Sequence, residues 1–337
     1  MRAYLLTGFG GPEKLEYRED VPDPEPGPGE VRLRVTAAGV NNTDIWTREG
    51  AYGDLGAGDP AAWRGALEFP RVQGADLVGW IDRVGAGVPP ERVGERVIVD
   101  PVLYTGGEAE LATSGLLGSE RDGGFAELAT VPAENAIPVD TTLTDAELAS
   151  FPTAYQTAYR MVERVALARD ETVLITGASG GVGSALVQLA KARGARVVAV
   201  VGPGKQEQAL RTGADAVLLR DDVPAGESVD VVADVVGGPA FPALLDALRP
   251  LGRYVTAGAI AGPLTELDLR KLYLKELTLV GSTVSTHEQF ADLVRQIEAG
   301  ALRPLLAATY PLRDLPRAQA DFVAKKFFGK LVITPQE

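Results

Sequence analysis

Along residues 31–36 apolar and polar side chains alternate, with Val31, Leu33 and Val35 on one side and Arg32, Arg34 and Thr36 on the other. That period of two predicts a strand with one buried face. The run before it, Val21-Pro-Asp-Pro-Glu-Pro-Gly-Pro-Gly29, is too rich in proline to join a sheet ladder and predicts a loop. Further strands are expected over Asp76–Val84, Glu95–Val99 and Phe125–Val131. Between the last two, Tyr104–Gly124 is polar and glycine-rich and reads as a long surface lobe.

The rhythm changes near residue 141. Helical periodicity runs from Asp145 to about Ala168, and short apolar strands then alternate with helices. Strands are expected at Thr172–Thr176, Arg196–Val201, Ala216–Leu219, Val229–Val236, Arg253–Ala257 and Leu277–Thr283. Helical stretches fall at Val182–Arg193 and Lys205–Thr212. Alternation of this kind predicts an α/β domain with a doubly wound parallel sheet, covered on both faces. After Thr286 come two helical stretches and a last strand, Lys330–Thr334, a tail too short to fold alone. The expected organisation is a first domain over 1–140, a second over 141–283, and a return segment, 284–337, that completes the first. There is no internal repeat and no low-complexity tract.

Composition narrows the chemistry. The 337 residues suffice for two lobes with real cores, and 45% of them are hydrophobic. No apolar run approaches the roughly 20 residues of a membrane span, and the N-terminus lacks the apolar core of a leader, so a cytoplasmic protein without a membrane partner is expected. The net charge of −13 carries no basic patch, which argues against a nucleic-acid partner and leaves a small-molecule substrate. Cysteine is absent, which excludes disulfides and thiolate zinc sites. The single histidine, His287, is expected at the surface, at the start of a helix over Glu288–Ala299. Trp46, Trp63 and Trp80 read as core or pocket walls.

The most informative stretch is Thr172-Val-Leu-Ile-Thr-Gly-Ala-Ser-Gly-Gly-Val-Gly-Ser-Ala-Leu-Val-Gln-Leu-Ala190. An apolar strand enters a glycine cluster and a helix leaves it. Such a turn aims backbone N–H groups at a pyrophosphate from a helix N-terminus. Gly180 and Gly181 let the backbone approach the ligand, and Gly183 lets the helix pack on the strand. The fingerprint departs from its usual form, since Ala178 stands where the first glycine is expected. A serine hydrolase is the alternative, because Gly177-Ala-Ser-Gly-Gly181 also fits a nucleophile elbow with Ser179 as nucleophile. Gly202-Pro-Gly-Lys205 lacks the spacing and the hydroxyl of a P-loop. The second strand of the expected dinucleotide domain ends Val198-Ala-Val-Val-Gly-Pro-Gly-Lys205, with no carboxylate before Glu207. NAD-specific sites place an acid there against the ribose hydroxyl, so its absence, with Lys205 present, predicts NADP(H).

Several motifs in order carry a resemblance. Ala38-Gly-Val-Asn-Asn-Thr-Asp44, Phe69-Pro-Arg-Val-Gln-Gly-Ala-Asp-Leu-Val-Gly79 with Val84-Gly85, Thr157-Ala-Tyr159, the turn at 178–183 and Gly329-Lys-Leu-Val-Ile333 together resemble the medium-chain dehydrogenase/reductase superfamily, in its zinc-free quinone oxidoreductase-like branch. The resemblance implies a Rossmann domain beside a GroES-like, mainly β catalytic domain. It implies NADPH-dependent reduction of a quinone or α,β-unsaturated carbonyl by direct hydride transfer. A dinucleotide-binding protein with a structural rather than enzymatic role is the alternative within that family. Zinc-dependent members hold their catalytic metal at positions matching Asn41, Ala75 and Thr153, none of which suits zinc, so no metal is expected. Asp44 and Asp76 remain as braces for backbone amides or arginines. Asn41, Thr43 and Tyr52 are the implied catalytic residues, with helix capping as the plainer role for Thr43. The implied cofactor contacts are Thr157, Ala178, Gly180, Gly181, Val182, Gly183, Lys205, Arg220, Val236, Gly258 and Lys330. A homodimer paired through the edge strand at Leu277–Thr283 completes the expectation.

Overall fold

The computed structural model describes residues 1–53, 59–106, 111–220, 222 and 226–336. The chain forms two compact units, one made of Met1–Thr153 with Thr286–Glu337 and the other of Ala154–Ser285. The first division falls later than the 140/141 boundary read from the sequence. The reason lies in Arg96, whose guanidinium donates to the Asp145 carboxylate and to the carbonyls of Thr141 and Leu143. These bonds hold the segment after residue 140 to the first unit, and regular strand–helix alternation begins only at Thr172.

The first unit is built on a seven-stranded sheet ordered Leu306–Pro311, Lys330–Thr334, Glu30–Gly39, Asp76–Val84, Arg96–Val99 and Ala136–Pro138, with Leu128–Pro132 also paired to Glu30–Gly39. The last strand pairs antiparallel with Glu30–Gly39, setting Ile333 opposite Ala38 and Val332 opposite Gly39. The return segment therefore completes the sheet of the first unit. In Glu30–Gly39 Val31, Leu33 and Val35 are fully buried and Arg34 is exposed as the alternation predicts, but Arg32 is buried as well, paired with Asp82. The register then shifts between Val35 and Ala37, and Ala37, Ala38 and Gly39 are all buried. A bulge of this kind re-aims a strand, here just before the turn that carries Asn41.

Three expectations change. Trp80 is 44% exposed rather than a wall, because it stands opposite Arg34 on the outer side of its strand while its neighbours Gly79 and Ile81 face inward. The stretch over 104–124 is not wholly a surface lobe. Leu116 and Leu117 are buried, and a short ladder of Gly115–Leu116 with Val102–Leu103 draws them in; residues 107–110 of the stretch lie outside the described ones. His287 opens the helix His287–Glu298, as read, but its ring is bound rather than free at the surface. Its Nδ1 lies 3.2 Å from Oδ2 of fully buried Asp100, and Tyr104 packs edge-on against it and donates to the same carboxylate oxygen.

The second unit is a six-stranded sheet in the order Ala216–Leu219, Arg196–Val201, Thr172–Ile175, Val229–Asp234, Leu248–Thr256 and Thr278–Gly281. Every pairing is parallel. Chain order reverses between Thr172–Ile175 and Val229–Asp234. With right-handed crossovers that reversal sends the two halves' helices to opposite faces and opens a ligand crevice at the strands' carboxyl ends. Leu174, Val232, Phe241, Leu244, Leu245 and Tyr254 share one buried cluster. Thr278–Gly281 is an edge strand, as its sequence predicts, and Tyr273 and Leu274 just before it are 63% and 72% exposed. Among the described residues no helix is long and apolar enough to cross a membrane.

Candidate active site

The glycine turn sits at the carboxyl end of Thr172–Ile175, at the reversal point. Gly180 caps the helix Gly181–Ala192 in extended conformation, φ −89° and ψ 175°. A helix of this kind leaves its first-turn N–H groups without intrahelical partners, ready for an anion. Gly183 has to be glycine, since a Cβ there would lie 2.2 Å from the Gly177 carbonyl oxygen. Ala178, in the place of the usual first glycine, is fully buried and donates its N–H to Val200 O at 3.1 Å, so its backbone ties the turn to the second strand. Val236, from the loop after Val229–Asp234, presses on Gly177, and Gly258 backs onto the Val235 carbonyl. The structure thus brings together Ala178, Gly180, Gly181, Val182, Gly183, Val236 and Gly258. Thr157 lies on the helix Pro152–Arg164 of the chain.

At the end of Arg196–Val201 two cations meet. Lys205 stands at the N-terminus of the helix Gln206–Thr212, and its Nζ lies 3.4 Å from Ser179 Oγ. Arg220 reaches over Gly202, where a Cβ would be 3.4 Å from its Nη2. Burial, and then the charge of Arg220, lower the Lys205 pKa. Lys205, Arg220 and the Ser179 hydroxyl of the glycine turn thus gather at one strand end. The glycine turn fits the pyrophosphate of a dinucleotide, and Lys205 and Arg220 stand beside it.

In the first unit Asn41 caps the helix Asn42–Glu49, and its N–H donates to Asp44 Oδ2 at 2.7 Å. The Asn41 amide is engaged at both ends. Its Nδ2 donates to Asp76 Oδ2 at 2.9 Å and Gly39 O at 3.3 Å, and its Oδ1 accepts from Lys330 Nζ at 2.5 Å. Lys330 Nζ also donates to Val40 O and to Asp76 Oδ2, each at 2.9 Å. Asp76 Oδ1 accepts from Thr153 N at 2.7 Å. Gly39 admits this cluster, for a Cβ there would lie 2.6 Å from Asp76 Oδ2. All three donors of a buried ammonium are therefore satisfied inside the first unit, which is not the arrangement of the cofactor contact expected at Lys330.

Zinc does not fit this cluster. Ala75 offers no donor atom, the Asn41 carbonyl is held by an ammonium, and Asp76 is already neutralised by Lys330. Among the described residues no three His, Cys, Asp or Glu side chains gather as a metal site, and the chain has no cysteine at all.

The hydroxyls are placed differently. Thr43 Oγ1 is buried with no hydrogen-bond partner among the described residues. Beside it is Tyr52, whose phenol is pushed up to about 12, chiefly by burial, with the Thr43 hydroxyl opposing the shift. Trp46 and Trp63 hold the Tyr52 ring edge-on, with centroids 5.4 and 5.2 Å away. Behind them the Asp44 carboxyl is raised to about 7 by burial and by the charge of Asp76, against the Asn41 amide and Lys330. Thr43 and Tyr52 are thus brought together, while Asn41 belongs to the ionic cluster behind them. Sequence reasoning missed what Lys330 does, and also missed Asp234, a fully buried acid ending an apolar strand. A second carboxylate closing Val229-Asp-Val-Val-Ala-Asp234 was the available signal.

Known proteins bear on both units. Residues 27–141 match the family described as an alcohol dehydrogenase GroES-like domain, and residues 181–299 match the family described as zinc-binding dehydrogenase. An acryloyl-coenzyme A reductase of Metallosphaera sedula is 32% identical over 99% of this chain and 100% of its own. A quinone oxidoreductase of Mus musculus is 30% identical over 96% of this chain and 94% of its own. A solved structure from Sinorhizobium meliloti, described only as a candidate alcohol dehydrogenase, is 54% identical, with a TM-score of 0.95 over 99% of this chain and 96% of that one. Relatives of this kind are hydride-transferring oxidoreductases, which removes the serine hydrolase alternative and the purely structural one. With a Rossmann-like domain beside a GroES-like β domain, and no side chains able to form either family zinc site, the chain belongs to the medium-chain dehydrogenase/reductase superfamily, in its zinc-free quinone oxidoreductase-like branch.

Proposed function

We propose that this oxidoreductase reduces a quinone or an α,β-unsaturated carbonyl with NADPH. The observation that carries the proposal is the satisfied cluster of Asn41, Asp76 and Lys330 together with the buried, neighbouring hydroxyls of Thr43 and Tyr52. Among the described residues no side chains gather as a metal site to polarise an ordinary ketone, which supports a substrate made electrophilic by conjugation. When bound, the reduced nicotinamide supplies a hydride. Tyr52 keeps its proton up to about pH 12 and donates a hydrogen bond to the oxygen on which negative charge develops. The buried Thr43 hydroxyl beside that phenol has no other partner, and it orients the phenol toward the same oxygen. Asn41 acts by position: clamped by Lys330 and Asp76, it sets the start of the helix that carries Thr43. Trp46 and Trp63 keep water from the ring of Tyr52.

The names of the relatives agree with this chemistry, since an acryloyl thioester and a quinone are both conjugated acceptors. The Lys205–Arg220 pair supports NADPH over NADH. The test of the chemistry is direct. With NADPH, 1,2-naphthoquinone or a simple enone should be reduced, a chelator should leave the rate intact, and Tyr52→Phe should lower kcat by about 10²-fold or more with little change in cofactor affinity. Chelator-sensitive oxidation of ethanol would overturn the proposal. The bare edge strand Thr278–Gly281, beside exposed Tyr273 and Leu274, supports a homodimer by edge pairing. Light scattering at micromolar concentration should give twice the chain mass, and a strictly monomeric mass would rule the pairing out.

A further inference from the structure

Asp234 ends the buried strand Val229–Asp234 and is fully buried. A carboxylate in such a place is costly unless its lone pairs are filled. Here they are filled. Oδ1 accepts from Thr176 Oγ1 at 2.5 Å, Val236 N at 2.9 Å and Gly237 N at 3.2 Å. Oδ2 accepts from Tyr254 Oη at 2.5 Å and from Gly237 N at 3.1 Å. Thr176 Oγ1 in turn accepts from Val235 N at 3.0 Å. One acceptor-only group thereby gathers donors from three neighbouring strand ends: the residue before Gly177, the loop 235–237, and Tyr254 in the strand Leu248–Thr256. An amide or hydroxyl has too few acceptor sites to do the same.

The consequence falls on the glycine turn. The loop folded over Asp234 carries Val235 and Val236, whose Cγ2 atoms lie 3.0 and 3.1 Å from where a Gly177 Cβ would be. Gly177, at φ +58°, starts the turn. Glycine takes this left-handed conformation without a Cβ penalty, and the loop packs directly against it. We propose that Asp234, acting with Thr176 and Tyr254, is the positioning residue of the dinucleotide site: it holds the glycine turn and the loop 235–237 in their binding shape, so that little ordering is left for the cofactor to pay for. This rests on the glycine turn being the cofactor site.

Thr176→Val keeps the size of the side chain and removes its hydroxyl. It should raise the Kd for NADPH, read by nicotinamide fluorescence, by about tenfold. At saturating NADPH its kcat and its KM for the organic substrate should stay within about twofold of the parent. Thr176→Ser should restore the parent Kd, and Tyr254→Phe, which leaves Oδ2 still bonded to Gly237 N, should raise it by less than Thr176→Val. Asp234→Asn should be the most severe, and if it fails to fold the other three variants decide. A folded Thr176→Val with a lower melting temperature and the parent Kd would mean a structural brace only, and would overturn the proposal. A parent protein that binds neither NADPH nor NADH would instead overturn the cofactor site itself.

Discussion

Two groups of cationic side chains in this protein are built in opposite ways. In the first unit Lys330 is 3% exposed, and each donor of its ammonium meets an oxygen: Val40 O, Asn41 Oδ1 and Asp76 Oδ2. In the second unit Lys205 and Arg220 approach each other, and Arg220 helps to lower the Lys205 pKa. The first group is complete without a ligand, and its charge serves the shape of the chain. The second sets two cations side by side at the end of a strand, next to the glycine turn. The difference separates a charge that supports stability from one that supports binding, and mutation should separate them too.

The largest effect belongs to the complete group. Lys330→Met leaves the Asp76 carboxylate buried with no cation, and breaking one partner of a buried pair costs about 3–5 kcal/mol. Urea unfolding should show that loss for Lys330→Met and a similar one for Asp76→Leu. Together the two changes should cost much less than their sum, because neither leaves a lone buried charge. Simple additivity would mean that the two side chains do not act as a pair. Turnover of the single variants should fall with NADPH affinity held, since the cluster sets the turn carrying Thr43.

The opposite pattern is expected of Lys205→Ala and Arg220→Ala. Each charge-assisted hydrogen bond to a phosphate contributes roughly 1.5–3 kcal/mol, so either change should weaken NADPH binding by about tenfold or more. Affinity for NADH should hardly move, and the melting temperature should stay level or rise as the repulsion is relieved. Added salt should weaken NADPH binding in the parent, because these groups are partly open to solvent. Fluorescence titration of both cofactors decides the matter, and equal affinities in the parent, or a preference for NADH, would show that the pair serves something else.

How far each group could be read from the sequence follows from its contacts. The glycine turn was legible because strand, turn and helix are one continuous run, and Gly183 meets Gly177 a few residues away. The strand pattern at Val31, Leu33 and Val35 and the edge strand near Thr278 are likewise local. Lys205 stood out through a missing carboxylate in its own segment. Lys330, by contrast, is 289 positions from Asn41 and 254 from Asp76, and no period or spacing carries such a contact. The same holds for Thr176 and Asp234, 58 positions apart, and for His287 and Asp100, 187 apart. Trp80 was misplaced for another reason: alternation shows that residues 79 to 81 take opposite sides, and only the assembled sheet shows which side is covered.

The smallest effect concerns that last pair, which is neither complete nor open to a ligand. The hydrogen bond to Asp100 raises the His287 pKa above its ordinary 6.5, with the charges of Asp100, Glu134 and Glu288 adding and burial opposing. A histidine raised in the folded state contributes stability that is fully present below about pH 6.5 and is lost as pH rises through the folded value. Burial also raises Asp100 above its ordinary 3.8, so ionising it within the fold likewise costs stability as pH rises. The shift of Asp100 is present in parent and variant alike, so the difference follows His287, and His287→Gln should lower the melting temperature more at pH 6 than at pH 8.5. The imidazole is 41% exposed, so solvent screening limits the difference to about 1 kcal/mol or less. Tyr104 and the Val102 N–H continue to bond Asp100 in the variant, which keeps the loss modest at either pH. Melting curves of parent and variant at the two pH values are the measurement, and an equal loss at both, or a greater one at pH 8.5, would show that the bond to Asp100 does not hold the proton on His287.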